Sequence, residues 1–138
     1  MLVSVMIGKR VSGCLWFVVA LFLTTCDTTT GPSEGITVYE HPNYGGSART
    51  FDGSFNDLDV VTGPCRGFFD APDRPGNWEN CISSIRIPAG WEATLYEHDD
   101  YEGDGLIVTS DISDLDDVMG CGGDWDNCAS SLQVRPPR

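Results

Sequence analysis

Two short stretches of this chain follow one pattern, and few folds accommodate such a pair. The first reads Trp78-Glu79-Asn80-Cys81-Ile82-Ser83-Ser84 and the second Trp125-Asp126-Asn127-Cys128-Ala129-Ser130-Ser131. Each sets an acidic residue, an amide, a cysteine and two hydroxyls directly before a β-prone run, Ile85-Arg86-Ile87 in one case and Leu132-Gln133-Val134 in the other. Carboxylate, amide and hydroxyl oxygens carried on a turn are hard ligands, better suited to calcium than to a soft transition metal. A plainer reading has the same residues capping strands and turns, which Asn, Asp and Ser do routinely. Ser84 and Ser131 are expected to do that, tying sheet to hairpin.

The duplication reaches well beyond these stretches. Thr37-Val38-Tyr39-Glu40-His41-Pro42-Asn43-Tyr44-Gly45-Gly46 aligns with Thr94-Leu95-Tyr96-Glu97-His98-Asp99-Asp100-Tyr101-Glu102-Gly103 at a constant offset of 57, which holds through Asp57-Leu58-Asp59 against Asp114-Leu115-Asp116. A repeat of this kind makes each copy one supersecondary unit that needs a neighbour to bury its apolar face. The offset then breaks, because Cys65 precedes Cys81 by 16 positions and Cys121 precedes Cys128 by 7, so the first copy carries a nine-residue excess around Phe68-Phe69-Asp70-Ala71-Pro72-Asp73-Arg74-Pro75-Gly76. Short β-prone runs recur at 36–40, 48–51, 82–87, 92–97, 106–109 and 130–134, with no sustained helical period. That spacing predicts an all-β sandwich. Pro88-Ala89-Gly90 is too short to separate independent domains, so the copies, about 36–88 and 91–135, are expected to pack as one domain over 36–138.

The chain before that domain reads differently. Lys9 and Arg10 precede an apolar run over 14–23 that is short for a membrane span and reads as an export signal over 1–25. Leu23-Thr24-Thr25-Cys26 resembles a bacterial lipobox, which makes Cys26 the candidate for acylation and membrane anchorage; Thr25 departs from the small residue usual there. The segment 26–35, polar with Gly, Pro and Ser, reads as a flexible tether. The formal net charge of −13 makes nucleic acid an unsuitable partner and disfavours a compact state unless cations screen or bind it. No motif specifies a protein or glycan partner.

Cys65, Cys81, Cys121 and Cys128 remain after the leader, and an even count in an exported chain reads as disulfides with three possible pairings. The repeat selects one. Cys65 and Cys121 each follow an Asp-Leu-Asp triplet, while Cys81 and Cys128 share a slot in the two stretches, which pairs Cys65 with Cys81 and Cys121 with Cys128. A four-cysteine zinc site would call for close Cys-x-x-Cys knuckles, which this spacing lacks.

At each hairpin an aromatic, four residues, an aromatic, one residue and a glycine recur, as Tyr39, Tyr44 and Gly46 and as Tyr96, Tyr101 and Gly103. A glycine so placed supplies a positive φ, and the two tyrosines can cover the folded-over turn. This unit, followed by Asn/Asp-Asn/Asp-x-x-Ser/Thr-Ser, resembles the βγ-crystallin Greek-key motif and occurs twice in order over residues 36–134. The resemblance implies two four-stranded Greek keys packed as a sandwich, of the microbial calcium-binding type. In proteins of that type each calcium is held by oxygens from both motifs: a hairpin carbonyl, the Asn/Asp positions, the carbonyl after them and the first Ser/Thr hydroxyl. Carried over, these are Glu40, Asn80, Cys81 and Ser83, and Glu97, Asp126, Asn127, Cys128 and Ser130. Glu79 stands where Asp or Asn is usual, and its extra methylene displaces a carboxylate that must meet Ca–O distances of about 2.3–2.6 Å.

Catalysis is not expected. No Gly-x-Ser-x-Gly elbow or phosphate loop occurs, and a Ser-His-Asp set would depend on His41 or His98, which sit on equivalent hairpins and are expected to face solvent. A second reading makes the chain an inhibitor-like binding protein, since some secreted microbial proteinase inhibitors resemble a βγ-crystallin unit. Its contact loop would be the insertion carrying Phe68 and Phe69, whose rings could equally form a lid over the sandwich end.

Overall fold

The computed structural model describes residues 35–67 and 70–138, so the leader, Cys26, and Phe68 and Phe69 lie outside the described residues. Among the described residues nine strands follow in order: β1 (Ile36–His41), β2 (Gly45–Phe51), β3 (Thr62–Cys65), β4 (Ser84–Arg86), β5 (Glu92–Tyr96), β6 (Gly105–Val108), β7 (Met119–Gly120), β8 (Gly123–Asp124) and β9 (Ser131–Arg135). The two copies build equivalent antiparallel sheets, ordered β2-β1-β4 and β6-β5-β9. Alternation explains which face turns inward: Ile36 and Val38 of β1, and Leu132 and Val134 of β9, are buried, while Thr37 and Gln133 are partly exposed.

Each sheet is completed by a residue from the other copy. Phe55 exchanges both backbone hydrogen bonds with Leu132, at 2.8 Å each, and Ile112 does so with Ile85, at 2.9 Å each. A single residue of the first copy thereby edges the second sheet, and the reverse. The core of the described residues is accordingly one cluster, with Phe51, Leu58, Trp78 and Ile85 of the first copy packed with Leu95, Leu115, Trp125 and Leu132 of the second. Leu58 and Leu115, the centres of the two Asp-Leu-Asp triplets, accept the backbone N–H of Trp78 and Trp125 on their carbonyls, each at 3.2 Å.

The hairpins fold over as the tyrosine spacing predicts. Tyr39 and Tyr44 meet edge-on with centroids 5.5 Å apart, Tyr96 and Tyr101 at 5.7 Å. Gly46 takes φ +73°, and a Cβ there would stand 2.8 Å from the His41 ring. Ser84 and Ser131 fasten the hairpins down: the Ser84 hydroxyl donates to the His41 carbonyl at 2.7 Å and accepts the Tyr44 N–H at 3.0 Å, and Ser131 does the same for His98 and Tyr101 at 2.6 and 3.1 Å.

Three strands and both exchanged segments were not anticipated from the sequence. β3 contains Gly63 and Pro64, which argue against a strand, and β7–β8 is a tight hairpin whose turn residues Cys121 and Gly122 both have positive φ, 51° and 77°. Phe55 and Ile112 each contribute a single bridged residue, too little for any periodicity to show. Because Ser84 and Ser131 are fully buried and each satisfies two backbone groups, Ser84→Ala and Ser131→Ala should each lower unfolding free energy by about 1–3 kcal/mol in urea melts. A loss confined to one of the two would contradict the equivalence of the hairpins.

Candidate functional site

The two duplicated stretches lie against each other. The Asn80 N–H donates to the Ala129 carbonyl at 2.9 Å, and the Asn127 N–H to the Ile82 carbonyl at 3.1 Å. Both asparagines take left-handed backbone, φ 48° and 54°, which Asn tolerates better than most residues and which turns the chain sharply ahead of each serine. Each serine hangs beneath its own hairpin, since Ser83 N–H donates to Tyr39 O and Ser130 N–H to Tyr96 O, both at 2.9 Å. Their carbonyls reach the other copy, accepting from Leu115 N–H and Leu58 N–H at 2.9 Å.

The consequence is a regrouping of the residues singled out by sequence. The Ser83 hydroxyl lies 3.4 Å from Asn127 Oδ1, across the copies. Glu79 and Asn80 line an open cleft of about 630 Å³ together with Glu97, Asp126, Asn127, Cys128 and Ser130 of the second copy. Glu40, Cys81 and Ser83 do not line that cleft. The cleft thus brings Glu79 and Asn80 of the first copy beside the hairpin, acidic stretch and serine of the second. The Glu40 and Glu97 carboxylates serve their hairpins instead, accepting from Ser47 N–H at 3.0 Å and Asp104 N–H at 3.3 Å.

Both disulfides expected from the repeat are present, Cys65–Cys81 and Cys121–Cys128, with Cα separations of 5.8 and 6.4 Å. Each ties one of the duplicated stretches to the segment before it, the second through the β7–β8 turn. Trp78 and Trp125, at 2% and 3% exposure, wedge beneath the stretches, and His41 and His98 are exposed.

Sequence reasoning missed the acids around this centre. Burial pushes the Glu79 carboxyl above its ordinary pKa, helped by Asp59, Asp99 and Asp57. Asp116 is raised chiefly by Asp124, with burial, Asp114 and Asp126 adding to it. The signal was available in the Asp-Leu-Asp triplets, whose central leucine is buried while the flanking aspartates keep solvent exposure. Asp126 carries the clearest mark, since its Oδ2 accepts from Asn127 Nδ2 at 2.6 Å while its Oδ1 is buried with no hydrogen-bond partner. An unsatisfied buried carboxylate oxygen is costly and calls for a cation or donor. Among the described residues no three His, Cys, Asp or Glu side chains are grouped to hold a metal by themselves. An ion here would draw also on amide, hydroxyl and backbone oxygens, a donor set that fits calcium.

No family model and no curated protein matches the chain. Solved structures do. A βγ-crystallin domain from Flavobacterium johnsoniae is similar at 27% identity and a TM-score of 0.52, covering 73% of this chain and 93% of that one. A double mutant of a βγ-crystallin domain from Clostridium beijerinckii is similar at 25% identity and a TM-score of 0.51, covering 72% of this chain and 93% of that one. The fold is that of the βγ-crystallin domain. A structure described as bearing on the evolution of the eye-lens βγ-crystallin domain fold agrees in architecture, with a TM-score of 0.59, 17% identity and coverage of 78% and 91%. Within this βγ-crystallin fold the two Greek keys are the two copies, and backbone bridges between them set the stretches face to face.

The charge crowding has a pH signature. Glu79 binds its proton more tightly in the folded chain than in the unfolded one, so its favourable contribution is complete below the ordinary value of 4.5 and is lost as pH rises through the higher folded value. In chelator, Glu79→Gln should therefore melt above the native chain at neutral pH, with the difference closing below pH 4.5. A difference independent of pH would contradict this.

Proposed function

We propose that this domain binds calcium at the crossing of its two motifs and that the ion is part of what holds the sandwich together. The observation that carries the reading is the buried, unpartnered Asp126 Oδ1 set among crowded carboxylates. The reading uses two donor sets, each drawn from both motifs. One comprises Ser83, Asp126 and Asn127 with the backbone carbonyls of Glu40 and Cys128; the other comprises Glu79, Asn80 and Ser130 with the carbonyls of Glu97 and Cys81. Both offer only oxygen, in line with calcium's preference, and both belong to turns already ordered by disulfides and backbone bonds. A loop ordered in advance has less freedom to lose on binding.

The role is structural or surface-binding rather than catalytic. Bound calcium would offset the self-repulsion of a chain with formal charge −13. Two disulfides fit an oxidising compartment, which supports export, and acylation of Cys26 would hold the domain at the cell envelope on the tether 26–35.

Calcium should raise the melting temperature, since it binds the folded oxygen cage and not the unfolded chain. A hundredfold excess over Kd corresponds to about 2.7 kcal/mol per site. Asp126→Ala should abolish much of that gain, whereas Glu79→Asp, which restores the shorter side chain, should tighten binding in calorimetric titration. Identical melting curves in millimolar calcium and in chelator would refute the proposal.

A further inference from the structure

The two acidic clusters are not alike, and the difference traces to the insertion. Arg74 pairs through Nη2 with Asp59 and through Nη1 with Asp70 Oδ1 at 2.9 Å. Its position is set from behind: its N–H donates to Ala71 O at 2.9 Å, and Asp70 Oδ2 accepts the Gly67 N–H at 2.6 Å. Asp59 is held on its other oxygen by Asn77 Nδ2 at 2.6 Å. The same Asn77 accepts the Glu79 N–H on its Oδ1 at 3.2 Å, which sets Asp59 beside Glu79, where it crowds that carboxyl together with Asp57 and Asp99. The first cluster thus contains a cation supplied by the chain itself.

The second cluster differs in composition. Asp116 occupies the place of Asp59, and Asp124 replaces Asn77, adding a negative charge where the first copy has an amide. The insertion has no counterpart there, and among the described residues no basic side chain forms an ion pair with Asp114, Asp116, Asp124 or Asp126. We infer that Arg74 is a built-in counter-ion that lowers the calcium affinity of the site formed by Glu79, Asn80, Glu97 and Ser130, leaving the Asp126 site the more demanding of divalent cation. This rests on the calcium reading above and adds to it a residue, outside the ligands, that makes the two sites unequal.

The physical basis is charge alone. A divalent ion entering near a fixed positive charge meets less net attraction, and in a partly solvated setting removing that charge is expected to tighten binding by about threefold to tenfold. An added positive charge beside the second cluster should do the reverse. Asp117 is exposed there and adds to the charge acting on Asp116, so Asp117→Lys is the converse variant.

The test is calorimetric calcium titration of the full chain and of Arg74→Gln, Arg74→Lys and Asp117→Lys, with folding checked by circular dichroism. Arg74→Gln should tighten one class of site about threefold to tenfold and leave the other unchanged, with the gain shrinking in high potassium chloride. Arg74→Lys should stay near native affinity, and Asp117→Lys should weaken the other class. Unchanged affinity in Arg74→Gln with native binding intact would overturn the role of Arg74 alone. Equal tightening of both classes, or a lysine variant that behaves like glutamine, would overturn it in favour of a loop-ordering role. No calcium binding by the native chain would overturn this inference and the functional reading together.

Discussion

Everything in this molecule depends on two single-residue backbone bridges exchanged between its halves. Phe55 completes the second sheet and Ile112 the first, each through a pair of backbone hydrogen bonds that would otherwise be left unmade at a buried edge. Leu58 and Leu115 follow those crossings into the core and bond the serine carbonyls of the opposite copy. Neither half can satisfy its backbone or bury its leucine alone, so the halves fold as one body around a shared core.

The site is a by-product of that crossing. Once Leu58 is bound to Ser130 and Leu115 to Ser83, the stretches after Trp78 and Trp125 have no course except across each other, which the bonds Asn80–Ala129 and Asn127–Ile82 record. Oxygen atoms far apart in sequence become neighbours, as with Ser83 and Asn127. Crowding acids there costs stability, seen in the raised carboxyls of Glu79, Asp99 and Asp116. That cost is what a bound cation would relieve.

Much of this is legible in the sequence. The offset between Tyr39 and Tyr96 locates both hairpins, the shared slot of Cys81 and Cys128 picks the disulfide pairing, and Gly46 and Gly103 mark the left-handed turn. Such features are local, and residue type determines local geometry strongly. The illegible elements are non-local or very short. A single bridged residue at Phe55 or Ile112 leaves no periodic trace, and without it the sequence offers no reason to group Ser83 with Asn127 rather than with Asn80. Arg74 is hidden for a related reason: an arginine in a Pro- and Gly-rich insertion reads as solvated until its partner, fifteen positions earlier at Asp59, is placed beside it.

The central claim is that each site is assembled across the two motifs, and a double-mutant cycle on calcium affinity addresses it most directly. Ser83→Ala and Asn127→Ala should damage the same site, so the double variant should lose far less than the sum of the singles. Ser130→Ala combined with Asn127→Ala should be close to additive, because those side chains serve different sites. Additivity for Ser83 with Asn127, and strong coupling between Ser130 and Asn127 instead, would contradict the crossed assembly.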